Sequence, residues 1–95
     1  MIYELLLEGK ESARTGRDLA AWLGVDIRQV VEQIERERRS GKPICATSDA
    51  KRPGYYLPAN DKELQDYIAS ITRRASELDK TRQALINVLD EAANK

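Results

Sequence analysis

Six cationic side chains, Arg36, Arg38, Arg39, Lys42, Lys51 and Arg52, fall in one stretch that holds only two carboxylates, Glu37 and Asp49. Such a cluster can neutralise phosphates, and it is the one basic region of a chain whose 16 basic and 16 acidic residues otherwise cancel. Net neutrality argues against indiscriminate polyanion binding, so any polyanion site has to be local. Other chemistries are excluded by residue type. With no histidine and a single cysteine, Cys45, neither a Ser–His or Cys–His pair, nor an internal disulfide, nor the ordinary zinc spacings can be assembled. Ser40-Gly41-Lys42-Pro43 lacks the upstream glycine and the following Ser/Thr of a phosphate-binding loop. The sequence therefore points away from an enzyme and implies neither a metal nor a cofactor.

The elements that must position these cations follow from patterning. The 95 residues, 41% hydrophobic and 34% charged, suit one small domain with a long appendage. No run approaches the roughly 18 apolar residues of a membrane span, and MIYELLLEGK lacks a signal peptide's basic flank, so a soluble, cytoplasmic protein is expected. Ile2, Leu5 and Leu6, with Tyr3 and Leu7, predict a first helix that is apolar on two sides and stopped by Gly9. Thr15, three residues before Asp18, opens a short helix ended by Gly24. Asp26, three residues before Gln29, opens a longer helix to Ser40-Gly41, with Ile27, Val30, Val31 and Ile34 on its buried side. Only Gly24 and Val25 separate these two helices, a turn tight enough for a helix-turn-helix. Residues 44–47 and 55–57 read as a β-hairpin with a basic tip, Tyr55 and Leu57 pointing inward, Tyr56 outward, and Cys45 serving as a small buried apolar residue. Asn60-Asp61 caps a final helix that meets no Pro or Gly to the C-terminus.

This order of elements is mainly α with a small β-hairpin wing, a winged helix-turn-helix plus a long C-terminal helix. TGRDLAAWLGVDIRQVVEQI resembles the DNA-binding domain of the biotin operon repressor and of many small bacterial and phage transcriptional regulators. GYYL resembles the Gly-Tyr-x-Leu that commonly closes their wing. The resemblance covers about residues 1–58, which divides the chain into a domain over 1–59 and a helix over 60–95. One departure is Glu37, where such families place a last apolar residue near the end of the third helix. The resemblance implies sequence-specific binding of double-stranded DNA, with helix 26–40 in the major groove and the basic wing 48–54 on the backbone or in the minor groove.

With Val30 and Ile34 inward, the opposite face of helix 26–40 carries Arg28, Gln29, Glu32, Arg36 and Arg39. Arg pairs with guanine and Gln with adenine through two hydrogen bonds each, and Glu accepts from cytosine, so Arg28 and Gln29 lead as base readers. The same residues also suit an ordinary solvated face with Arg28–Glu32 or Glu32–Arg36 ion pairs. Lys51 and Arg52 at the hairpin tip could straddle phosphates or enter the minor groove. Arg14, Thr15 and Arg17 could hold a phosphate at the start of their helix. Trp22 reads as a core or partner-packing residue rather than a DNA contact.

From Leu64 the apolar positions run Ile68, Ile71, Ala75, Leu78, Leu85, Leu89 and Ala92 in alternating steps of four and three, a heptad seam interrupted by Arg82. A helix of about 33 residues is roughly 50 Å long, against about 30 Å for the domain, so much of it needs a partner elsewhere. A homodimer built on this helix, with helix 2–8 as a second contact, would set two recognition helices about one DNA turn apart. A helix folded back on its own domain and a helix bound to a different protein are the alternatives. The rival to DNA binding is a winged-helix module that binds protein, as an antirepressor, replication accessory or adaptor, for which net neutrality and the acidic Glu32 and Glu35 are natural. No small-molecule ligand, and no domain to sense one, is expected.

Overall fold

The computed structural model describes residues 1–49, 51 and 53–94. Its helices are α1 (Gly16–Leu23), α2 (Ile27–Arg39) and α3 (Asp61–Ala93), and strands β1 (Cys45–Thr47) and β2 (Gly54–Tyr56) form an antiparallel pair between α2 and α3. The chain is thus mainly helical, with one small hairpin and a long C-terminal helix. No helix among the described residues is long and apolar enough to cross a membrane.

Caps set the two short helices. Thr15 Oγ1 accepts the Asp18 N–H at 3.0 Å, and Gly24, at φ 67°, supplies the left-handed residue that ends α1. At α2 the exchange is reciprocal: Asp26 Oδ1 accepts the Gln29 N–H at 2.8 Å, and Gln29 Oε1 accepts the Asp26 N–H at 3.0 Å.

The helix expected over residues 2–8 does not form. Tyr3–Leu5 make a single 3₁₀ turn, Leu6 is already extended, and a second such turn follows at Lys10–Ser12. A helix this short is poorly nucleated, and the hairpin competes for its backbone. Leu57 donates to the Leu7 carbonyl at 2.9 Å, Gly9 donates to the Leu57 carbonyl at 2.8 Å, and Arg14 and Tyr55 exchange two bonds of 2.8 Å. Ile2 and Leu6 are buried with Leu19, Val30, Ile34 and Ile44, whereas Leu7 lies outside. The apolar spacing was a true burial signal that a turn and an extended segment satisfy as well as a helix.

Two of the residues assigned to the buried side of α2 are misplaced: Ile27 and Val31 are 51% and 44% exposed. At about 100° per residue, Val30, Ile34 and Glu37 share one narrow strip, and Ile27 and Val31 lie off its edge. Glu37 is the third buried member, at 2% exposure. Its carboxylate accepts the N–H of Ile2 and the N–H of Tyr3, each at 2.8 Å, and the Gln33 side-chain amide at 2.8 Å. It caps the N-terminal turn from across the domain. Burial by itself would raise its pKa; the bonds from Ile2, Tyr3 and Gln33 outweigh that effect and hold it below the ordinary 4.5.

A second, smaller core lies on the far side of the hairpin. Cys45, Tyr56 and Tyr67 form it, with Leu64, Ala13 and Ala46 against them. Tyr56 does point away from the first core, as alternation requires, and is buried because α3 covers it. Cys45 is fully buried, and desolvation pushes its thiol up to about 11 and the Tyr56 hydroxyl up to about 12, so both stay neutral at physiological pH. Arg38 ties this core to α2: it donates to the Ile44 carbonyl, the Tyr67 hydroxyl and the Glu35 carboxylate, each at 2.8 Å.

Glu37→Ala should cost about 2–4 kcal/mol in urea unfolding, because it leaves the N–H groups of Ile2 and Tyr3 buried without an acceptor. A carboxylate whose pKa falls on folding adds stability above 4.5 and loses it as pH drops through the lower folded value. Wild type should therefore lose stability below pH 4.5 more steeply than Glu37→Gln; matching acid limbs would refute the assignment.

Candidate nucleic-acid interface

The outward face of α2 carries the residues that the helical wheel places opposite Val30 and Ile34. Arg28, Glu32, Arg36 and Arg39 are all exposed. Three of them are engaged with neighbours on α2 itself. Arg28 Nε lies 3.3 Å from Glu32 Oε1, and Arg36 donates to Gln33 Oε1 at 2.9 and 3.2 Å. Exposed pairs of this kind are worth under about 1 kcal/mol, so a stronger acceptor such as a phosphate or a guanine edge can displace them. Gln29 is differently placed. Its side-chain oxygen is held in the cap of α2, and the two-bond grip on adenine needs that oxygen, so reading a base this way would undo the cap.

At the start of α1, Arg17 is exposed, while Arg14 is committed twice. Its backbone pairs with Tyr55, and its guanidinium stacks 4.7 Å from the centre of the Trp22 ring. Trp22 is 52% exposed and so is not a core residue. Thr15 spends its hydroxyl on the Asp18 N–H, and the Asp18 carboxylate in that first turn opposes an incoming phosphate.

The hairpin tip presents Lys51 to solvent. Thr47 Oγ1 accepts the Asp49 N–H at 3.1 Å and Asp49 Oδ1 accepts the Lys51 N–H at 2.9 Å, side-chain-to-backbone bonds of the kind that Thr and Asp make in turns. Arg52, the other expected tip contact, lies outside the described residues. Of the remaining cations in the basic stretch, Arg38 is consumed by the internal network described above, and Lys42 Nζ sits 4.8 Å from the centre of the Tyr3 ring. Patterning missed Arg73 and Arg74, which with Ser70 of α3 line a groove against Ala46, Thr47 and Ser48 of the hairpin. The Arg-Arg pair was visible in the sequence; the docking of α3 beside β1 was not.

Along α3 the seam divides. Leu64 is half-buried in the second core, whereas Ile68, Ile71, Ala75, Leu78, Leu85 and Leu89 are exposed. Arg82 is exposed and its Nη1 lies 3.6 Å from Asp79 Oδ1. The N-terminal segment does not extend this seam as a second helix, since Ile2 and Leu6 are spent on the domain's own core. The chain matches no family model, no curated protein sequence and no solved structure.

The hairpin is registered on the segment leading into α1 through Gly54, whose φ is 136° and whose missing side chain leaves room for the Arg14 carbonyl. A Cβ there would collide with that backbone. Gly54→Ala should therefore destabilise the protein by about 2 kcal/mol or more and remove hydrogen-exchange protection from the Tyr55 amide, which bonds Arg14. Unchanged protection at Tyr55 would refute this junction.

Proposed function

We propose that the protein is a winged helix-turn-helix DNA-binding protein that acts as a dimeric transcriptional regulator. The observation that carries the reading is the pairing of a well-capped helix, whose outward face bears Arg28, Glu32, Arg36 and Arg39, with a hairpin on the same core whose tip bears Lys51. In this reading α2 enters the major groove, Arg28 reads a base edge near the helix N-terminus, and Lys51 contacts the backbone or the minor groove. Arg36, Arg39 and Arg17 neutralise flanking phosphates. Arg14 and Gln29 shape the interface from behind, the first through Trp22 and the second through the cap.

A second reading is favoured by a different observation. Trp22, Leu23, Ile27 and Val31 are exposed apolar residues of α1 and α2, and a surface of that kind suits a protein partner. The two separate by salt dependence, which is steep for phosphate neutralisation and shallow for an apolar interface.

Selection on random duplex DNA at two salt concentrations should enrich a two-fold symmetric motif. Neither enrichment nor retention at low salt would overturn DNA binding in favour of a protein partner. On the selected site, Arg28→Ala should relax preference at one base position at a cost of about 1–3 kcal/mol, and Lys51→Ala should weaken all duplexes alike and reduce the salt slope by about 1. Equal effects of both variants on all sequences would contradict the assigned roles.

A further inference from the structure

The exposed part of α3 specifies not only a partner but its direction. We infer that α3 pairs with α3 of a second copy in an antiparallel coiled coil, in the register that sets Leu78 against Arg82 of the other chain. This rests on the dimer proposed above and is independent of DNA binding.

The argument starts from where the seam becomes free. Leu64 is taken up by the chain's own second core, so the first position open to a partner is Ile68, and the last apolar seam position is Ala92. Between them the positions run 68, 71, 75, 78, 82, 85, 89 and 92, alternating a and d. Five of the large side chains here are 41–71% exposed: Ile68, Ile71, Leu78, Leu85 and Leu89. Leaving them in water forgoes about 1.5–3 kcal/mol each.

Two arrangements bring this whole stripe together. In a parallel, in-register pair each residue meets itself. Ala75 then faces Ala75 and Ala92 faces Ala92, which leaves gaps, and Arg82 faces Arg82 in the middle of the seam. A guanidinium stays charged at any accessible pH, so that layer sets two like charges face to face, each balanced only by its own Asp79 and neither laid over an apolar partner. The parallel pair would gain contacts between Arg74 and Asp79 of the other copy, but exposed pairs return under about 1 kcal/mol.

The antiparallel pair removes each defect. Its layers are Ile68 with Ala92, Ile71 with Leu89, Ala75 with Leu85 and Leu78 with Arg82, each occurring twice. Small meets large in the alanine layers, as interdigitation requires. Each Arg82 lies over an apolar Leu78 stem and keeps its own Asp79, 3.6 Å away in this chain, while approaching Asp79 of the second copy near the two-fold axis. The two arginines and two aspartates form a neutral central cluster. Shifting by one heptad in either direction leaves two apolar positions unpaired or drives the second helix into the domain at Leu64. One register therefore uses all eight positions and stops where the domain begins. It places the two α2 helices on opposite sides of the axis, with the attachment points of α3 roughly 48 Å apart at about 1.5 Å per residue.

Single-cysteine variants of the full chain distinguish the arrangements, and Cys45 does not compete because it is fully buried. Mild oxidation of a mixture of Ile71→Cys and Leu89→Cys should give a cross-linked pair containing one of each, with neither variant cross-linking efficiently alone. Efficient self-linking of each variant would overturn the antiparallel register in favour of the parallel one. Wild type sedimenting as a monomer at tens of micromolar would instead remove the dimer itself, and with it this register. Dimeric variants that form no mixed disulfide would also overturn the register while leaving the dimer standing.

Discussion

The carboxylate of Glu37 is the fixed point on which the domain's assembly rests. An acid buried near the end of α2 would be a liability on its own, since desolvation opposes its charge. Three donors change the sign of that effect, and two of them are backbone N–H groups of residues 2 and 3. Once the N-terminal turn is pinned there, Ile2 and Leu6 fill the first core, and the segment from Leu7 to Arg14 is brought alongside the hairpin to pair with Leu57 and Tyr55. The hairpin has only three residues in each strand, too little to stand alone, and these added pairings anchor it.

The hairpin in turn has two buried faces, one towards α1 and α2 and one towards α3. Arg38 of α2 reaches around its edge and joins α2, the residue entering β1 and α3 by bonding the Ile44 carbonyl and Tyr67 hydroxyl. This division of labour among cations matters for the surface. A count of charge along residues 36–52 treats every Arg and Lys as available, yet Arg38 is structural and Lys42 lies over an aromatic ring. Among the described residues of α2 and the hairpin, the outward cations are Arg28, Arg36 and Arg39 on one helix face and Lys51 at the hairpin tip.

The long helix belongs to two structural environments. Its first two turns complete the second core, and the rest extends the molecule to 56 Å along one axis against 32 and 29 Å on the others. The separation occurs within a continuous helix, so the distal seam is held at a fixed distance and angle from the domain. A flexible linker would give the same connection without that geometry.

Much of this was legible in local sequence. Thr15, Asp26 and Asn60 mark helix starts, Gly24 marks an end, and the four-and-three spacing of α3 marks a seam, because caps and helical periodicity are properties of residues close in the chain. The alternation of Tyr55 and Tyr56 was equally local. What only the tertiary structure decided involves partners distant in sequence. The same apolar spacing at residues 2–7 could serve a helix or a turn and a strand, and the hairpin's backbone groups settled it. Glu37 looked like a packing fault until the amides of Ile2 and Tyr3 met it, and Tyr56 looked exposed until Tyr67 covered it. Ile27 and Val31 looked buried because periodicity identifies a stripe but not its width, and the width depends on how closely α1 and the hairpin approach α2.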